Sequence, residues 1–124
     1  MKIQNIMIVE DEAILAMDLQ HFLKREGYNV EGVFADGNRA LDFFVSSGNL
    51  DLVITDIYLS GELDGIEMAK VIMRRSNVPV IFITGYRDFL TISKLTEINP
   101  AAIIFKPIHS HDIIRHIHNL SVSL

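Results

Sequence analysis

The chain has 124 residues, enough for one domain with a single substantial core. Apolar residues make up 49% and charged residues 22%, a balance that excludes a disordered chain. A net charge of −5 excludes an electrostatic footprint for nucleic acid or an anionic membrane, and the absence of cysteine excludes disulfides and thiolate metal sites, which fits a reducing, cytoplasmic setting.

The opening MKIQNIMIVEDE holds a short apolar run that stops at three acids, too short for a membrane span and wrong for a signal peptide. In chain order, β-rich runs are expected at Ile3–Val9, Asn29–Phe34, Leu50–Thr55, Val78–Thr84 and Ala102–Phe105. Helical spacing fills the gaps. The first helix is carried by Ile14, Met17, Phe22 and Leu23 and stops at EGY, where Gly27 supplies a left-handed residue. The second spans about Arg39–Val45 before SSGN, the third Gly65–Arg75, the fourth Asp88–Glu97 before INP, and the fifth Asp112–Leu120 along Ile113, Ile114, Ile117 and Leu120. Such alternation predicts an α/β fold with a parallel sheet covered on both faces. The expectation is one domain over residues 1–124, with no output domain in the chain.

Polar residues fall where the runs end: Glu10 and Asp11 after the first, Asp56 after the third, Thr84 on the fourth and Lys106 after the fifth. The carboxyl edge of an open α/β sheet is where ligands bind. Any one of these residues alone reads as a turn former, a helix cap or a solvated lysine. Four strands delivering complementary groups to one edge read as a site. Three acids there repel one another unless a cation neutralises them, and all-oxygen ligation with room for water and phosphate suits Mg²⁺. Lys106 adds a point charge for a phosphoryl oxygen and Thr84 a hydroxyl, so the set suits phosphoryl transfer onto a carboxylate.

Over essentially its whole length the chain resembles the receiver domains of two-component response regulators. The resemblance is carried by IMIVEDE, DLVITD, DGIEMAKVI, VPVIFITG and IIFKP in that order. It implies a flavodoxin-like (βα)5 three-layer sandwich with a five-stranded parallel sheet in the order 2-1-3-4-5. It implies Asp56 as phosphoacceptor, Asp11 as a direct Mg²⁺ ligand, Glu10 acting on the ion through water, and the main-chain carbonyl of Tyr58 completing the protein share. Lys106 would pair with the phosphoryl group, Thr84 would bond to it and carry the conformational signal, Gly85 would leave space beside Thr84, and Pro107 would follow a cis peptide. The implied donor is a sensor histidine kinase or histidine phosphotransferase. The implied recipient is an output domain, a downstream protein or a second copy in a homodimer, with no direct nucleic acid or membrane contact. The domain would catalyse its own phosphorylation and slow dephosphorylation.

Two departures bear on mechanism. The loop DIYLSGELDGIE has Ser60 and Gly61 where receivers usually show a proline, and is one residue longer than usual. Ile103 stands where the family usually has an aromatic residue that turns inward, so activation is expected to displace the fourth helix without that toggle. Phe105 shares its strand face and reads as core. Tyr58 is either a shield over Asp56 against water or a surface tyrosine. His109, His111, His116 and His118 read as a solvated helix face rather than a zinc site. Arg74 and Arg75 suit a helix C-terminus, and Tyr86 and Arg87 offer side chains to a partner. A nucleotide-binding flavodoxin-like module is disfavoured because VEDEAI would repel phosphate. A receiver-like interaction module that works without phosphorylation is the nearer alternative.

Overall fold

The apolar runs pair as strands because their side chains can be buried on both faces at once. In the computed structural model, which describes residues 2–123, the order is β1 (Asn5–Val9), α1 (Ala13–Arg25), β2 (Asn29–Phe34), α2 (Gly37–Ser47), β3 (Leu52–Thr55), α3 (Gly65–Arg75), β4 (Val80–Thr84), α4 (Phe89–Ile98), β5 (Ala102–Phe105) and α5 (Ser110–Ser123). The strands form one parallel sheet in the order β2-β1-β3-β4-β5, the flavodoxin-like arrangement that was expected. Every residue of β3 and β4 is buried, whereas Asn29 and Glu31 of the edge strand β2 are exposed.

Strand alternation divides the core in two. Met7, Val9, Val53, Val80 and Phe82 pack against α2, α3 and α4 through Ala40, Met68, Ile72 and Leu95. Ile6, Ile8, Leu52, Ile54, Ile81 and Ile83 pack against α1 and α5 through Leu19, Leu23, Ile113 and Ile117. Three layers result. No helix among the described residues is long and apolar enough to cross a membrane.

Strands β1, β3 and β4 each begin two residues inside the expected runs. Ile3 and Leu50 are still buried, but the ladder starts later for local reasons. Asp51 takes the Gln4 and Asn5 amides through its carboxylate, at 2.9 and 2.8 Å. Pro79 has no amide to give and offers only its carbonyl, to Val53 N at 3.1 Å.

Helix α1 corrects the expected apolar face. Ile14 and Met17 are 77% and 56% exposed, while Leu15, Leu19, Phe22 and Leu23 form the packed stripe. Those four are spaced i, i+4, i+7 and i+8, and Ile14 and Met17 lie off that line. Gly27, at φ +95°, takes the left-handed position expected after the helix. Helices α2, α3 and α4 start on the aspartates Asp36, Asp64 and Asp88, whose carboxylates accept amides of the first turn.

Candidate functional site

The carboxyl ends of β1, β3, β4 and β5 lie side by side, so residues far apart in sequence meet along one edge. Backbone bonds fix the frame: Glu10 N donates to Phe34 O at 2.8 Å, Asp56 N to Val9 O at 3.0 Å and Lys106 N to Thr84 O at 2.8 Å. Behind Asp56 the chain turns tightly, with Gly65 N bonded to Ile57 O at 2.6 Å. A Cβ at Gly65 would collide with the Asp56 carbonyl, so the close approach requires glycine here. The tip of the loop is pinned elsewhere. Ser60 N donates to Ala35 O at 3.1 Å, and Gly61, at φ +86°, lies against the Asp36 carboxylate, which is how the longer loop docks at the end of β2.

Asp56 is buried. Its Oδ1 accepts the Ile57 amide at 2.6 Å and its Oδ2 accepts Lys106 Nζ at 2.7 Å. Glu10 is buried as well, with Oε2 accepting the Glu12 amide at 2.9 Å. Its Oε1 has no hydrogen bond, although Lys106 Nζ lies 3.1 Å away, off the line a hydrogen bond needs. Burial pushes the Glu10 carboxyl above its ordinary value and the Asp56 charge adds to this, against the opposing pull of the Glu12 amide and Lys106. Asp11 is exposed, and one oxygen each from Glu10, Asp11 and Asp56 lies within 4.8 Å of the others.

Lys106 binds these acids together. Burial works against its charge, but the hydrogen bonds to Asp56 and Glu12 and the nearby Glu10 carboxylate outweigh that and raise its pKa. The peptide to Pro107 is cis. Glu12 is the residue sequence reasoning missed: its Oε2 sits 2.5 Å from Lys106 Nζ. The third acid of VEDE was visible, but nothing in the sequence pairs it with a lysine 94 positions on.

Thr84 is buried at the end of β4, and its hydroxyl oxygen accepts the Tyr86 amide at 3.0 Å; this is the contact it makes, not one to Asp56 or Lys106. Beside it, a Cβ at Gly85 would meet open space. Tyr58 follows Asp56 by two residues, and its exposed ring packs edge-on against Tyr86, centroids 4.5 Å apart. Ile103 packs into the core beneath α4, but Phe105 does not: it is half-buried, with the Arg87 guanidinium 4.3 Å from its ring centroid. Among the described residues, the group of acids Glu10, Asp11 and Asp56 is where a metal ion could be held; the late histidines form no such group. An all-oxygen donor set whose buried Glu10 Oε1 accepts no hydrogen bond fits a hard divalent cation.

The sequence model described as "Response regulator receiver domain" matches residues 6–118. The chain is 34% identical over 102 residues to the phyllosphere-induced regulator PhyR of Methylorubrum extorquens, covering 82% of this chain and 38% of that protein. It is 31% identical over 111 residues to the transcriptional regulatory protein PdtaR of Mycobacterium tuberculosis, covering 90% and 53%. The chain thus spans about half the length of these curated relatives, or less. Among solved structures, the signal receiver domain of a modulated diguanylate cyclase from Desulfovibrio desulfuricans superposes with a TM-score of 0.89 at 32% identity, covering 98% of this chain and 95% of that one. A response regulator receiver protein from Sinorhizobium medicae gives 0.84 at 28% identity, covering 98% and 96%.

Proposed function

The chain belongs to the response regulator receiver domain family, and from that premise we propose that it accepts a phosphoryl group on Asp56 in a Mg²⁺-dependent reaction and switches its surface to signal onward. The observation that carries this reading is the contact of Lys106 Nζ with Asp56 Oδ2 at 2.7 Å, beside the Glu10, Asp11 and Asp56 oxygens. The donor is a histidine kinase or histidine phosphotransferase. The recipient is an output domain, a downstream protein or a second copy of the chain.

A carboxylate oxygen of Asp56 attacks phosphorus. The new P–O bond forms as the donor's P–N bond breaks, and that bond's electron pair stays on the donor imidazole. Lys106 moves from carboxylate to phosphoryl oxygen and so keeps the transferred charge neutralised. Glu10, Asp11, Asp56 and the Tyr58 carbonyl would hold Mg²⁺. When bound, the ion would offset the charge of the acids and of the phosphoryl oxygens.

The signal leaves through Thr84. Its hydroxyl, drawn to the new phosphoryl group, gives up the Tyr86 amide it now accepts. That loosens a segment whose Tyr86 ring rests on Tyr58 and whose Arg87 rests on Phe105, and α4 follows without an aromatic at position 103. Amide shifts in α4 that stay fixed on phosphorylation would sink this route.

Intact mass after incubation with acetyl phosphate, with and without Mg²⁺, tests the reading. A Mg²⁺-dependent gain of one phosphoryl group, lost in Asp56→Asn and reversed by hydroxylamine, is expected. No gain from acetyl phosphate or from any histidine kinase would leave the phosphorylation-independent module.

A further inference from the structure

Lys106 faces three carboxylates, and they are not alike. Asp56 and Glu10 are buried and belong to the set of oxygens that lie within 4.8 Å of one another. Glu12 does not belong to it; its side chain is 62% exposed, yet it accepts a hydrogen bond from Nζ, as Asp56 does. Glu12 is also the N-cap residue of α1, and its side chain makes no capping bond. Its backbone is fixed by the bond from its own amide to Glu10 Oε2, which leaves the carboxylate free to be spent on Lys106.

An ammonium has three N–H groups. Asp56 and Glu12 take two of these, and Glu10 lies alongside, off the hydrogen-bond line; when Lys106 leaves Asp56 for a phosphoryl oxygen, the remaining carboxylates compete with that oxygen for the ammonium. Asp56 would carry the phosphoryl group, and Glu10 cannot turn to solvent. Glu12, already in contact with water, is the one whose release costs least.

We infer that Glu12 is a latch on Lys106, a positioning residue that holds the ammonium in the resting protein and competes with a phosphoryl group for it. The inference rests on the reading of Asp56 as phosphoryl acceptor. Glu12 therefore sets how readily the site takes up a phosphoryl group, without touching that group itself.

The test is a beryllofluoride titration of the whole chain with Mg²⁺, followed by the amide shift of Ile57, for wild type, Glu12→Gln, Glu12→Asp and Asp18→Asn. Gln removes the charge; Asp keeps it but withdraws it by one methylene. Asp18, exposed on the same helix, controls for the general field of an acid. Glu12→Gln and Glu12→Asp should both bind beryllofluoride roughly two- to fivefold more tightly, the scale of an exposed ion pair, and Asp18→Asn should match wild type. Tightening by Gln alone, with Asp like wild type, would show a field effect without a latch and overturn the inference. So would three variants that all match wild type. A wild type that binds no beryllofluoride would instead overturn the acceptor reading, and the latch with it.

Discussion

Asp51 and Asp56 bracket the same four-residue strand, β3, and both are carboxylates at a strand end. At the amino end, Asp51 Oδ2 accepts two main-chain amides, Gln4 and Asn5, and joins β1 to β3 before the ladder begins. At the carboxyl end, Asp56 accepts a single amide and otherwise faces Lys106 and two more acids. The first carboxylate is a staple, because its partners are fixed donors that cannot leave. The second is exchangeable, because its partners are charges that a cation or a phosphoryl group could replace. A strand-end acid is therefore read by what it faces.

The largest expected break in this comparison is functional. Asp56→Asn should lose phosphoryl uptake completely, while Asp51→Asn keeps it at the wild-type level; intact mass after acetyl phosphate measures both. Next, Lys106→Met should slow uptake by roughly a hundredfold, the cost of one donor aimed at developing charge, as read from the initial rate of mass gain. Third, Gly65→Ala should destabilise by about 2 kcal/mol in urea unfolding, because its Cβ has to displace the Asp56 carbonyl. The smallest effect concerns Asp88, an N-cap remote from this contrast. The Thr91 amide, then the Thr91 hydroxyl, hold its carboxyl below the ordinary 3.8. Its stabilising contribution is present above 3.8 and lost as pH falls through the lower folded value, so Asp88→Asn should flatten the acid side of the stability profile.

The layers and the carboxyl-edge residues were legible because they follow from apolar alternation and from polar groups that interrupt it, whereas the sheet order came from the resemblance to receiver domains. IIFKP and DLVITD each place a charge directly after a buried strand, and the structure brings those charges to 2.7 Å. The face of α1 was misread because Ile14 and Met17 are as apolar as the residues that pack, and only the docking of α1 on the sheet and its neighbours decides which stripe is buried. Strand starts were set too early because Asp51 and Pro79 replace ladder bonds locally. Glu12 was passed over because its partner is distant in sequence. The Tyr58–Tyr86 and Arg87–Phe105 contacts were hidden for the same reason, since each joins loops or strands that only the tertiary fold brings together.

The contrast between staple and exchangeable acid is tested most directly by urea unfolding of Asp51→Asn and Asp56→Asn side by side, near neutral pH and without Mg²⁺. Asp51→Asn should fall by about 1 kcal/mol, because its two amide bonds lose their charge assistance. Asp56→Asn should stay at or above wild type, because one of three crowded acids has lost its charge and Lys106 keeps Glu10 and Glu12. If Asp56→Asn falls as far as Asp51→Asn, Asp56 is a structural staple too, and the distinction between the two ends of β3 is wrong.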